Sequence, residues 1–364
     1  MGDPVGEFGF GPVGLDPQGA RRELVPEPGE LAAGVAPRRA PDLGDGLVEG
    51  VPALEVRDEL DVAGRVHAWV AGLVPLGEQP FHLFDEAGLN YPPSDWKDTS
   101  WTWERFLDAC RQLTKKEGDQ VVQYGWTEAW WPPLSAVVFG YSNGGHWFDR
   151  YMDPTKVTLT DPKMVEAFQF YADLWNKEKV ATSPEQWKVQ AGYQMFAAGK
   201  AAMTLVGHWF YPEFSKPEHG LSMDIGVFPI GPGGTTSKTD LGGTGMAITA
   251  MTKHPDEAWR FLRFECGPEG QKIIARSGLF APTLRSVANS EDFLGTHTAL
   301  EHAEVFNTAM DNAVMFPIGP AWDAMADRLG RNLDLLWNGQ ATAAEAMATA
   351  QAEMQQALDE THAG

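Results

Sequence analysis

The sequence predicts an α/β protein, and three observations carry the prediction. Short apolar runs of strand character alternate with patterns of 3- and 4-residue helical spacing. Glycine or proline marks most junctions between them. A chain of 364 residues, 43% of them apolar, suffices for two cores of ordinary size or one large one. Residues 195–250 show the pattern best. An amphipathic helix closes at Gly199, and residues 206–211 read as a short strand ending in the cluster His208, Trp209, Phe210 and Tyr211. Residues 224–230 read as a second strand, and the turn at Gly242 and Gly243 feeds a third over 246–250. Open α/β sheets bind ligands beyond the carboxyl ends of their strands, and Trp209 and Gly243 stand at two such ends.

The first 80 residues read differently from the rest. They hold 14 Gly and 10 Pro but no Lys, Ile or Thr. That composition predicts a poorly packed segment, or a stretch read in an altered frame. It contains no basic, apolar succession of the kind that opens a secreted precursor. From Phe84 onward the punctuation becomes regular. Gly88 closes a short helix, and Thr102 caps a longer one whose stripe is Phe106, Leu107, Cys110 and Leu113. Residues 121–126 are strand-like. Trp126, Trp130 and Trp131 follow closely, and Pro132 with Pro133 opens a helix that stops at Asn143, Gly144 and Gly145.

Asp161 as cap and Pro162 at the first position open the clearest helix. Its buried face is Val165, Phe168, Ala172 and Trp175, widened by Met164, Ala167, Tyr171 and Leu174. Residues 186–199 read as one helix. Pro255 starts another that carries Trp259, Phe261, Leu262 and Phe264, and Gly278 ends a short one after it. From residue 300 the chain reads as helical. Trp322, Met325, Leu329, Leu333 and Leu336 share one face, and an alanine-rich helix over 341–358 comes last.

Composition excludes several functions. A net charge of -22 is the wrong sign for phosphate backbones, so nucleic acid is not a partner. No run of 18 apolar residues spans a membrane. Cys110 and Cys266 are too few and too far apart for a zinc site, and a bridge between them is not expected. No serine elbow, zinc-protease helix or phosphate loop is present, so no catalytic residue, metal or cofactor is assigned. The glycine-rich residues 231–234 lack the helix and lysine of a phosphate loop and read as a turn. The positive signal is aromatic: there are 14 tryptophans, and Trp209, Trp130 and Trp131 lie beside glycine or proline at element ends. Flat apolar faces next to hydrogen-bonding groups suit sugar rings, and glycines at 242 and 243 let a backbone amide approach a ligand. His208 adjoins Trp209 and is a further candidate contact.

In order and spacing, the pieces around Phe84, Thr102-Trp103-Glu104, Asn143-Gly144-Gly145, Phe196-Ala197-Ala198-Gly199-Lys200, Gly207-His208-Trp209, Gly242-Gly243 and Gly278-Leu279-Phe280 are distinctive. The segment they cover resembles the extracellular solute-binding proteins of ABC importers, in the carbohydrate-binding family that includes maltodextrin- and glycerol-phosphate-binding proteins. The resemblance implies a periplasmic-binding-protein-like fold of two discontinuous lobes that close on a ligand. It assigns residues 84–120 and 242–287 to the first lobe, and 125–240 and 290–360 to the second. It implies a mono- or oligosaccharide or a glycerol phosphate derivative as ligand. It also implies importer membrane subunits as partners, a monomeric state, and an extracellular or periplasmic location with a lipid anchor on the complete precursor. Trp209 corresponds to a tryptophan that stacks on sugar, the loop of Trp130 and Trp131 to a second aromatic contact, and Gly242 and Gly243 to a glycine turn offering backbone contacts. Tyr141, Asn143 and Arg331 are weaker candidates. The family's opening strands have no counterpart in residues 1–80, so the first lobe is expected to be incomplete. Two other readings are a glycoside-processing enzyme, which needs a pair of flanking carboxylates, and a homologue that no longer binds ligand.

Overall fold

The computed structural model describes residues 82–128, 131–243, 245–316 and 319–363. The expectation for residues 1–80, and Trp130, lie outside the described residues. In chain order the helices are α1 (His82–Ala87), α2 (Trp103–Leu113), α3 (Pro132–Ser142), α4 (Pro162–Asn176), α5 (Pro184–Trp187), α6 (Gly192–Ala197), α7 (Tyr211–Phe214), α8 (Pro255–Cys266), α9 (Pro268–Arg276), α10 (Arg285–Ala288), α11 (Glu291–Leu294), α12 (Val305–Thr308), α13 (Trp322–Trp337) and α14 (Ala343–Ala363). The strands are β1 (Lys115–Glu117), β2 (Gln120–Glu128), β3 (Ala201–Leu205), β4 (Thr239–Leu241) and β5 (Ala313–Met315).

β2 is the central strand of one sheet. It pairs antiparallel with β1 and parallel with β3, with Tyr124 opposite Ala201 and Glu128 opposite Leu205. Every residue of β3 is buried, as a parallel strand covered on both faces requires. The covering rings belong to α2, α3 and α4. Phe106 meets Trp126 edge-on at 5.2 Å, Trp103 stacks on Phe170 at 4.4 Å, and Phe139 touches Phe228 at 4.5 Å. This packing puts α2 into one core with β2, α3 and α4. α13 and α14 close over α4: Trp337 lies near Phe168, and Trp175 Nε1 donates to the Trp337 carbonyl at 2.8 Å. A second, two-stranded sheet pairs β4 with β5 in parallel.

Five expected elements differ. The strand of the third sheet position is Ala201–Leu205, not 206–211. Beyond Leu205, Gly207 and Pro212 bracket a 3-10 turn, His208–Phe210, and then α7. The run 224–230 makes no named strand, because its amides bond to loops: Val227 N–H to Pro93 O and Ile230 N–H to Trp101 O, each at 2.8 Å. The expected helix over 186–199 divides into α5 and α6. α6 restarts at Gly192, where the backbone presses on the end of β2 so closely that a Cβ would lie 1.6 Å from the Glu128 carbonyl oxygen. The run 246–250 is not a strand, and among the described residues no strand lies beside it. Residues 300–316, expected as continuous helix, form the single turn α12, a 3-10 turn over Ala309–Asn312 and then β5. Cys110 and Cys266 are both free, one buried and one exposed.

Candidate binding site at the strand ends

Two parallel strands end side by side, because Glu128 of β2 is in register with Leu205 of β3. The chain leaving β2 reaches Trp131 after three residues, and the chain leaving β3 reaches Trp209 after four. This is the position at which α/β sheets hold ligands. Trp131 is the residue before α3, whose first turn is Pro132 and Pro133. Its half-buried ring meets Trp322 edge-on, with ring centres 6.4 Å apart. Trp322, the first residue of α13, lies 6.0 Å from Trp147 and 6.1 Å from Phe316. Phe316 directly follows β5, whose Met315 is in register with Leu241 of β4. Gly242 and an exposed Gly243 follow Leu241. The ends of both parallel pairs are thus linked through the Trp131–Trp322 contact.

Trp209 rides on the 3-10 turn with its ring lying across Gly207. A Cβ there would come within 2.1 Å of the indole Cζ3, so only glycine admits this pose. Beside the ring runs a groove of about 560 Å³, with the Tyr193–Phe210 pair, Gln194, Glu213 and His219 among its walls. Glu213 accepts from Lys216 at 2.5 Å and pairs with His219 at 3.0 Å. The Lys216 hydrogen bond, then that of His219, hold the Glu213 carboxyl below its ordinary value against a partial burial. The groove therefore offers ring faces, an amide and a charge that is already paired.

Glu128, at the very end of β2, is a buried carboxylate that accepts hydroxyl hydrogens from Ser135 and Tyr171. Burial first, and the Glu128 charge second, push the Tyr171 phenol well above its ordinary value, so it stays protonated and donating.

The structure places the other sequence candidates elsewhere. His208 is 1% exposed and packs among Phe293, Phe306 and His297, so adjacency to Trp209 in sequence puts it beneath the turn and not on its surface. Asn143 is fully buried at the far end of α3. Its amide donates to Lys163 O and Glu166 and its oxygen accepts from Gly233 N–H, which fixes the loop at 231–234. Tyr141 is buried on that same last turn, about 15 Å along the helix from Trp131 at 1.5 Å per residue. Arg331 is exposed and pairs with Asp327 one turn earlier on α13. Sequence reasoning missed Trp322, Tyr193 and Glu128. Trp322 was read only as the start of an apolar stripe, although Pro320 just before it repeats the signal that marked Trp131. Glu128 was invisible among 50 acidic residues until burial singled it out.

Comparison with known proteins identifies the fold and the family. The chain is 27% identical over 215 residues to a probable ABC transporter-binding protein of Deinococcus radiodurans, covering 58% of this chain and 50% of that one. It is 27% identical over 192 residues to a multiple sugar-binding protein of Streptococcus mutans, covering 50% and 42%. The matched stretch thus spans half or less of these curated relatives. Among solved structures, an ABC substrate-binding protein of Listeria monocytogenes in complex with cycloalternan superposes with a TM-score of 0.65 at 22% identity, over 82% of this chain and 72% of that one. Maltose-bound MalE3 of T. maritima gives 0.65 at 20% identity, over 83% and 77%. The fold is therefore that of the two-lobe solute-binding proteins. No helix among the described residues is long and apolar enough to cross a membrane. Residues 79–272, more than half of the chain, match the profile of the bacterial extracellular solute-binding proteins, and the chain belongs to that family.

Proposed function

We propose that the chain binds a sugar at the strand ends and delivers it to an ABC importer on the outer side of the membrane, without chemical change. The observation that carries this reading is the placing of partly exposed tryptophans beyond the carboxyl ends of paired parallel strands, Trp131 with Trp322 and Trp209 over Gly207. Indole faces stack on the C–H faces of a pyranose, while Gln194 and backbone amides near Gly242 and Gly243 meet its hydroxyl edge. Relatives that carry sugar-binding names, and neighbours holding cycloalternan or maltose, support an oligosaccharide as the ligand. Glu128 does not make a hydrolase of the site, since its carboxylate already accepts from Ser135 and Tyr171. A lipid anchor on the precursor, a monomeric state and docking to importer membrane subunits belong to the same proposal.

Calorimetry of the full chain against maltose, trehalose, lactose, xylo-oligosaccharides and glycerol 3-phosphate tests it. We expect one neutral sugar to bind and Trp209→Ala to weaken it at least tenfold, about 1.4 kcal/mol. Absence of binding across the panel, or release of hydrolysed sugar, would overturn the reading.

A further inference from the structure

The 3-10 turn that carries Trp209 also carries one member of a buried pair of imidazoles that the ligand site does not use. His208 Nε2 and His297 Nε2 are 2.7 Å apart, and both rings are almost fully buried. Each ring's other nitrogen faces a backbone carbonyl: His297 Nδ1 is 2.7 Å from Phe293 O, and His208 Nδ1 is 3.3 Å from Leu279 O. Three hydrogen bonds at these nitrogens need three N–H groups, and two neutral imidazoles supply two. The short contact assigns one to His297 Nδ1. His208 Nε2 then supplies the other, donating to His297 Nε2. The third position, His208 Nδ1 against Leu279 O, is left without a hydrogen, in keeping with its being the longest of the three.

The pair is closed in by apolar and neutral groups. Phe293 of α11 and Phe306 of α12 flank both rings, and Tyr211 of α7 lies 4.6 Å from His297 with its hydroxyl donating to Thr296 O. Thr296 Oγ1 lies 3.3 Å from His297 Nδ1. Of the charges on the neighbouring elements, Asp292 of α11 pairs with Arg276 of α9, Glu213 of α7 pairs with Lys216, and Glu291 and Glu304 are exposed. Among the described residues, the charge that acts on His208 is that of His297.

We propose that the His208–His297 pair is a positioning latch that holds the Trp209 turn against residues 279 and 293–306, and that acid releases it. The consequence for ligand rests on the reading of Trp209 as a binding face. Burial, followed for His208 by the neighbouring His297, brings His208 down to about 3, and burial brings His297 down to about 4. Opening the turn hydrates both rings and returns them to the ordinary value of 6.5. The sign follows: the latched state keeps its full advantage above pH 6.5 and loses it as pH falls, because only the opened state takes up protons. Between pH 7.5 and 5.5 the opening constant rises about tenfold for each imidazole exposed, hence about a hundredfold for the pair.

The test needs no ligand. Amide hydrogen exchange of residues 205–214 in the full chain, corrected for intrinsic rates, is compared at pH 7.5 and 5.5. We expect the opening constant to rise about a hundredfold in the wild type and about tenfold in His297→Gln, whose amide keeps a partner for His208 but does not titrate. Equal pH dependence in the two proteins would overturn the latch. Imidazole nitrogen shifts of the wild type give a variant-free check: both rings must stay neutral at pH 5.5, and a ring that is protonated there refutes the proposal. Failure to bind any sugar would leave this result standing. Sugar binding with pH-independent opening would sink the latch alone.

Discussion

α4 and α8 carry similar sequence signals and meet opposite fates. Both begin with proline at the first position, and both hold a run of large apolar residues. α4 buries Met164, Phe168, Tyr171, Leu174 and Trp175 against β2, α3 and α13. α8 buries nothing: Trp259 is 53% exposed, Phe261 63% and Phe264 55%, and Met251 just before the helix is 86% exposed. A helix satisfies its own backbone groups, so local signals suffice to form it: Pro255, the acidic Asp256 and Glu257 in the first turn and Arg263 in the last. A strand has no such independence. Residues 246–250 have the composition of one, yet among the described residues no neighbour offers its edge, and the run stays irregular. Helix formation is thus a property of the segment, whereas burial and strand formation are properties of what stands next to it. The exposed face of α8 exceeds the scatter of single apolar residues normal on a surface.

The largest effect separates the two regions directly. Phe139 of α3 is fully buried and its ring contacts those of Trp103, Phe106, Trp126, Phe170, Tyr171 and Phe228. Phe139→Ala should cost about 3–5 kcal/mol in urea unfolding, through lost transfer energy and the cavity left behind. Phe261→Ser on α8 should stay within about 0.5 kcal/mol in the same unfolding series. A cost above about 2 kcal/mol for Phe261→Ser would break the comparison, since it would mean that α8 is covered in solution.

Intermediate effects come from glycines in the packed region. In Gly207→Ala the new methyl would lie 2.1 Å from the Trp209 ring and must displace it. Sugar affinity in the calorimetric titration should therefore fall at least tenfold, a loss of about 1.4 kcal/mol. Gly330→Ala has the opposite sign. Gly330 lies inside α13 with open space where the Cβ would go, so the substitution should stabilise by about 0.5–1 kcal/mol in the same urea series. Unchanged sugar affinity in Gly207→Ala would show that the close approach of Trp209 to Gly207 does not exist in solution.

Much of this division was legible in the sequence, for identifiable reasons. Stop and start signals act within a few residues and many were legible, although Gly330, which reads as a helix break, lies inside α13, and Gly270 lies inside α9. Asp161 caps α4 by accepting from Lys163 N–H, Thr102 caps α2, and Gly88, Gly199 and Gly278 take the positive φ that ends a helix. The placing of Trp131 and Trp209 at element ends was legible because proline or glycine fixes the chain beside them. Depth was not legible. His208 and Trp209 are consecutive, and only the packing of α11 and α12 decides that one is core and the other surface. Asn143 reads as a loop polar residue, and its three hydrogen bonds come from segments 20 to 90 positions away. Strand identity over 206–230 failed for the same reason that 246–250 failed, since each depended on a partner that periodicity does not name.

The smallest expected effect sharpens what fastens the rim of the packed region. Asp224 accepts from the amides of Glu301 and His302 at 3.1 Å and from His302 Nδ1, which pins the 301–302 turn to the loop before residue 225. The hydrogen bond to Asp224 is the largest cause raising His302 above its ordinary 6.5, followed by a modest opposing burial and the charge of Asp224. A raised histidine stabilises fully below its unfolded value of 6.5, and that contribution disappears as pH climbs through the folded value. The His302 side chain is 42% exposed, so solvent screening keeps the effect small. The melting temperature should therefore decline slightly on the alkaline side of pH 6.5 in the wild type, and His302→Gln should flatten that limb alone. The acid limb, which the buried His208–His297 pair governs with the opposite sign, should survive in His302→Gln. Loss of both limbs in that one variant would show that the two histidine sites titrate together, and that the rim and the Trp209 turn open as one unit.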